Sequence, residues 1–124
     1  MNFLNAGSAA YPDGWKDYQA VASYDRDTWF RVPTTYDGQV MTINHTPEYD
    51  SVYYAYFEPY SWERHLELLG RAEASPLARV RDLGSTLDGR DINVVDVSAG
   101  RGVKRQCWII ARQHPGESMA EWLA

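Results

Sequence analysis

The period of the hydrophobic pattern changes once along this chain, near residue 60, and that change constrains the fold more than any other feature. Up to Phe57, apolar residues come in short runs broken by Asp-, Gly- and Pro-containing turn signals. From Ser61, "SWERHLELLGRA" places Trp62, His65, Leu66 and Leu69 at i, i+3, i+4 and i+7, which lines them along one face of an α-helix. A strand repeats every second residue and a helix about every 3.6, so one pattern cannot serve both. The chain is therefore divided at this point into residues 1–60 and 61–124.

The first part reads as strands at "YQAVASY" (18–24), "TWFRVP" (28–33) and "SVYYAYF" (51–57). Between the last two, "TTYDGQVMTINHT" reads as a hairpin around Asp37-Gly38, where a tight turn favours Gly at positive φ and tolerates Asp. "NFLN" at the start resembles the tail of a further strand, and no helix-length periodic segment precedes residue 60. The expectation is part of an antiparallel β-sandwich.

In the second part, Ser61 is the candidate N-cap of the helix, Glu63 lies in its first turn and Gly70 is near its end. "ARVRDLGSTLDGRDINVVDVSAG" predicts two strands around "DGRD", and "KRQCWIIARQ" a third with a nearly continuous apolar centre. Such a run predicts a strand buried on both faces, as in the middle of an α/β sheet. Helical spacing resumes at "SMAEWLA", which ends after about two turns against a globular average of about three. Both ends fall within elements, so the chain is expected to be a piece of a longer protein.

Composition excludes some partners. The 124 residues carry a net charge of −5, and the 12 Lys and Arg are scattered. Nucleic acid and anionic membrane need those residues clustered on one face, so neither is an expected partner. The single cysteine, Cys107, cannot form an intrachain disulfide, and no apolar run reaches the roughly 18 residues of a membrane-spanning helix. "MNFLNAGSAAYPDG" lacks the basic region and apolar core of a signal peptide. The expected setting is the cytoplasm.

The chemistry is concentrated in "ARQHPGESMAEW" (111–122). Imidazole nitrogen and carboxylate oxygen are zinc donors, and a catalytic zinc keeps one position open for water. His114 and Glu117 offer one donor of each kind, at the carboxyl end of the expected central strand, where open α/β sheets bind ligands. Pro115-Gly116 stops the strand and lets both side chains turn towards one point. As a bare pattern, His-x-x-Glu arises often by chance.

Its surroundings narrow the choice. "ARQHPGESMAEW" resembles the first zinc-binding segment of the M14 metallocarboxypeptidases, and its Pro-Gly form is similar to the cytosolic carboxypeptidase-like subfamily. "TLDGRDINVVDVS" resembles the hairpin before that segment. "YFEPYSWERH" resembles the junction between the subfamily's N-terminal sandwich and its peptidase domain, and "NAGSAAYPDGW" part of the sandwich. The likeness covers nearly the whole chain in order. It implies a mixed fold, in which an antiparallel β-sandwich part over 1–60 precedes the truncated start of an α/β carboxypeptidase-like domain over 61–124. It also implies that His114 and Glu117 bind zinc, and that a peptide or protein C-terminus is the substrate of the full-length protein. The family's second zinc-binding His, its carboxylate-binding Arg and its general-base Glu would lie beyond Ala124, so no catalytic residue is assigned here. The 124 residues alone are expected to be inactive and to associate with themselves or a complementary fragment.

Other residues have plainer readings. A lone His is usually a packing or surface residue, which covers His45 and His65. Glu121 reads as a helix glutamate facing away from the core, and Cys107 as a small buried hydrophobe. Arg112, two residues before His114, is left unassigned. The aromatic run "YYAYFEPYSW" is read as filling the sandwich and the domain interface. The alternative function is a β-sandwich module that binds a protein or glycan and carries a vestigial metal motif.

Overall fold

Short strands separated by turn residues build the first half of the chain, as the broken apolar runs require. The structure, a computed structural model, describes residues 1–100, 102 and 105–124. It forms two compact units, Met1–Pro59 and Tyr60–Ala124.

In the first unit β1 (Asn2–Phe3), β2 (Val21–Ser23), β3 (Phe30–Arg31), β4 (Thr34–Tyr36), β5 (Met41–Ile43) and β6 (Tyr53–Ala55) make two three-stranded antiparallel sheets. Their orders are β1-β5-β4 and β3-β2-β6. Val21 and Ala22 of β2 are paired on both sides, Val21 with Arg31 and Ala55 and Ala22 with Phe30 and Tyr54. The chain passes from one sheet to the other at Val32-Pro33. Val32 gives its N–H to the Ala20 carbonyl (3.0 Å), and Pro33 has no N–H with which to continue the ladder. Thr34 Oγ1 then accepts from the Ala20 N–H (3.1 Å), fixing the start of β4.

Ala20, Ala22, Val32 and Ile43 form the buried core, drawing on both sheets, and Tyr18, Val52 and Tyr54 pack against it. An open apolar cavity of about 410 Å³ is lined by Phe3, Trp15, Tyr18, Met41, Ile43 and Tyr56, among others. Trp15 Nε1 donates to the Ala6 carbonyl (3.1 Å) and the Tyr18 hydroxyl to that of Tyr56 (2.5 Å).

Carboxylates hold the turns. Asp25 Oδ1 accepts from the N–H groups of Asp27 (2.8 Å) and Thr28 (2.7 Å) and from the Ser23 hydroxyl (3.0 Å), beside Arg26 at φ 66°. The two backbone N–H groups hold its carboxyl down to about 2. At the β4–β5 turn Asp37 Oδ1 accepts from the Gln39 and Val40 N–H groups beside Gly38 at φ 100°.

The second unit contains α1 (Trp62–Glu73), β7 (Ala78–Ser85), β8 (Asp91–Val97) and α2 (Ser118–Leu123). Ser61 caps α1 by accepting the Arg64 N–H (3.3 Å), and the helix runs past Gly70 to Glu73. The β7–β8 hairpin keeps register from Ala78↔Val97 to Asp82↔Asn93, then shifts at a bulge before Ser85↔Asp91, where Gly84 adopts φ 137°. Among the described residues no helix is long and apolar enough to cross a membrane. An N-terminal β unit thus precedes a unit of two helices and one hairpin.

One expected element is missing. The apolar run predicted as a third, buried strand begins at Lys104, which lies outside the described residues. Its described remainder, 105–113, forms no strand. Trp108, Ile109 and Ile110 are 73, 73 and 71% exposed. The reason is partnership: a strand buried on both faces needs neighbours on both edges and covering layers. Among the described residues β7 and β8 pair only with each other. Cys107, on the same run, is exposed and not the buried thiol expected.

Candidate metal centre

The turn His114–Glu117 brings its two donors together. The Glu117 N–H bonds the His114 carbonyl (3.1 Å), closing the backbone through Pro115-Gly116. Across this turn His114 Nδ1 meets Glu117 Oε1 at 2.7 Å, and the other carboxylate oxygen accepts weakly from the His114 N–H (3.4 Å). The imidazole hydrogen bond, with the backbone N–H behind it, holds the Glu117 carboxyl below its usual range. Both side chains are open to solvent, at 77 and 43% exposure. Glu117 reaches back to His114 and makes no side-chain cap to α2, which starts at Ser118 as expected.

The donor set suits zinc. One imidazole nitrogen and one carboxylate oxygen, within hydrogen-bonding distance on one turn, are a fitting pair of ligands. Among the described residues no group of three or more His, Cys, Asp or Glu could hold a metal ion, so the chain supplies two donors and not a full set.

The other two histidines have packing partners of their own. His45 Nδ1 is bonded to the Tyr54 hydroxyl (2.8 Å) within a ring cluster including Phe30. His65 stacks on Trp62 (5.0 Å between centroids) and its Nε2 meets Asn93 Oδ1 (3.2 Å). Both are packing residues. The aromatic run divides: Tyr54 packs on the core of the first unit and Tyr60 is buried against Trp122 at 5.0 Å, while Tyr53 and Tyr56 are exposed.

Glu121 departs from its plain reading, and the unassigned Arg112 finds defined partners. Glu121 does not face away: its Oε2 is paired with Arg112 Nη1 at 2.6 Å, and its side chain is 22% exposed. Arg112 also donates from Nη1 to the Tyr60 carbonyl (2.8 Å) and from Nε to the Pro115 carbonyl (3.1 Å), with its own backbone at φ 53°. Only its nearness to His114 could have hinted at this, since the partners lie up to 52 residues away.

Both halves of the chain match known protein families. Residues 1–57 match the cytosolic carboxypeptidase N-terminal domain, and residues 63–124 match the zinc carboxypeptidase family Peptidase_M14. The crystal structure of a metallo-carboxypeptidase from Burkholderia cenocepacia is 58% identical, with a TM-score of 0.91, over 98% of this chain and 33% of that one. A metallo-carboxypeptidase from Pseudomonas aeruginosa, solved with (2-guanidinoethylmercapto)succinic acid, is 44% identical at a TM-score of 0.85, over 98% of this chain and 34% of that one. An uncharacterised protein of Zymomonas mobilis is 46% identical over 118 residues, 95% of this chain and 30% of its own length. The chain thus spans about a third of the length of these relatives. With its second half matched to the peptidase domain and its first to the domain that precedes it, the chain belongs to the M14 zinc carboxypeptidase family, in the cytosolic carboxypeptidase-like group.

Proposed function

We propose that the full-length protein is a cytoplasmic, zinc-dependent metallocarboxypeptidase that hydrolyses the C-terminal peptide bond of peptides or proteins, with His114 and Glu117 as two of its zinc ligands. The observation that carries this reading is the 2.7 Å approach of His114 Nδ1 to Glu117 Oε1, in the segment matched to the peptidase family. When bound in such a site, zinc supplies Lewis acidity and lowers the pKa of its bound water towards 7. The chain's own contribution is to present one imidazole and one ionised carboxylate on a closed turn. The succinic acid ligand of the Pseudomonas relative carries carboxylates, as a peptide C-terminus does, and this supports the substrate class.

Two donors fall short of the three that a catalytic zinc normally takes, so residues 1–124 alone are proposed to be inactive and to hold zinc weakly. The experiment compares release of the last residue from an N-terminally blocked peptide by full-length protein and by the 124-residue chain. Full-length activity that is lost to a chelator and restored by zinc is expected, with none from the short chain. Chelator-resistant full-length turnover, or turnover by the short chain, contradicts the proposal.

A further inference from the structure

We propose that Arg112 is a positioning residue of the metal centre, which acts by bracing the turn that carries His114 and Glu117; this rests on the reading of those two residues as zinc ligands. The turn needs a brace. Both of its donors are open to solvent, so the turn has little packing of its own to hold them. Three hydrogen bonds from one guanidinium supply the support. Nε holds the carbonyl of Pro115, the residue immediately after His114 and inside the turn (3.1 Å). Nη1 holds the Tyr60 carbonyl before α1 (2.8 Å) and the Glu121 carboxylate on α2 (2.6 Å).

These anchors are themselves fixed. Tyr60 is buried and its ring meets Trp122 edge-on, while Trp122 lies under the Arg64 guanidinium at 4.8 Å. The turn is thereby tied to α1 and α2 through a single side chain. The backbone of Arg112 is in the left-handed region, at φ 53°, which residues with a Cβ rarely adopt unless their surroundings impose it. A planar fork with donors in fixed directions can meet three acceptors at once; a lysine ammonium presents a single point of charge on a flexible stem. Such outer contacts orient metal ligands and commonly change metal affinity about 10- to 100-fold when lost.

The test uses full-length protein with Arg112→Lys, Glu121→Gln, both together, and His114→Ala. Zinc release to a chelator, thermal midpoint of the metal-free protein, and kcat and KM on a blocked peptide are measured for each. Arg112→Lys is expected to speed zinc release about 10- to 100-fold with little change in the metal-free midpoint. Glu121→Gln should speed it by less, and the double variant should match Arg112→Lys, because both act through one contact. Wild-type zinc release in Arg112→Lys and Glu121→Gln overturns the proposal, as does unchanged release with a raised KM, which would place Arg112 on the substrate. If Arg112→Lys does not fold, Glu121→Gln decides by the same readout. Full zinc occupancy in His114→Ala would instead remove the ligand reading beneath it.

Discussion

Single residues in this chain are decided by what surrounds their backbone, and two glycines show opposite cases. A Cβ at Gly7 would lie 2.8 Å from the Gly38 carbonyl oxygen and 2.9 Å from Gln39 Cα, both backbone atoms that cannot swing aside. Gly7→Ala is expected to destabilise by about 1–3 kcal/mol in denaturant unfolding. Gly70, inside α1, has nothing within 4 Å of the same position, so Gly70→Ala should stabilise by about 0.5–1 kcal/mol through lower unfolded-state entropy. Equal effects at the two sites would contradict this account. Asp25 sets a pH dependence. Its carboxyl is held down to about 2 in the fold, against an ordinary 3.8. A depressed carboxyl contributes stability that is present above its unfolded value and lost as pH falls through the folded one. Asp25→Ala should therefore lower stability at neutral pH and flatten its decline between about pH 4 and 2; an unchanged acid profile would show that the turn does not depend on the charge.

Elements were legible wherever their reason for forming was local. The Ser61 cap, the Asp37-Gly38 hairpin and the "DGRD" hairpin each carry their own hydrogen-bonding residues, and each appears where the sequence places it. The run 105–113 carries no such local reason. Its apolar residues record burial between neighbours, and those neighbours are not among the described strands. For the site, the His-x-x-Glu spacing revealed the two converging side chains. The Arg112 brace was hidden because its partners, Tyr60 and Glu121, come from two other elements and share no periodicity with it. In the full-length protein residues 106–111 should become a paired strand that ends before Arg112. Amide exchange at 106–111 is expected to be slow there and fast in the 124-residue chain; fast exchange in both would remove the strand from the fold.

At the scale of the molecule, the chain is about a third of its relatives, and its surface shows it. Trp108, Ile109, Ile110 and Leu123 are exposed, and no residue of α1 is buried despite its apolar stripe. Surfaces of this kind are normally covered by further layers of an α/β domain. The 124-residue chain should bind an apolar-sensitive dye and self-associate in sedimentation, and the full-length protein should do neither; a dye-silent monomer of the short chain would contradict this. The central claim is that His114 and Glu117 are zinc ligands, and zinc content reads it most directly. Full-length protein, purified with and without His114→Ala, is assayed for bound zinc per chain. About one zinc per wild-type chain and a large loss in the variant are expected, whereas equal zinc content in the two proteins would show that His114 is not a ligand.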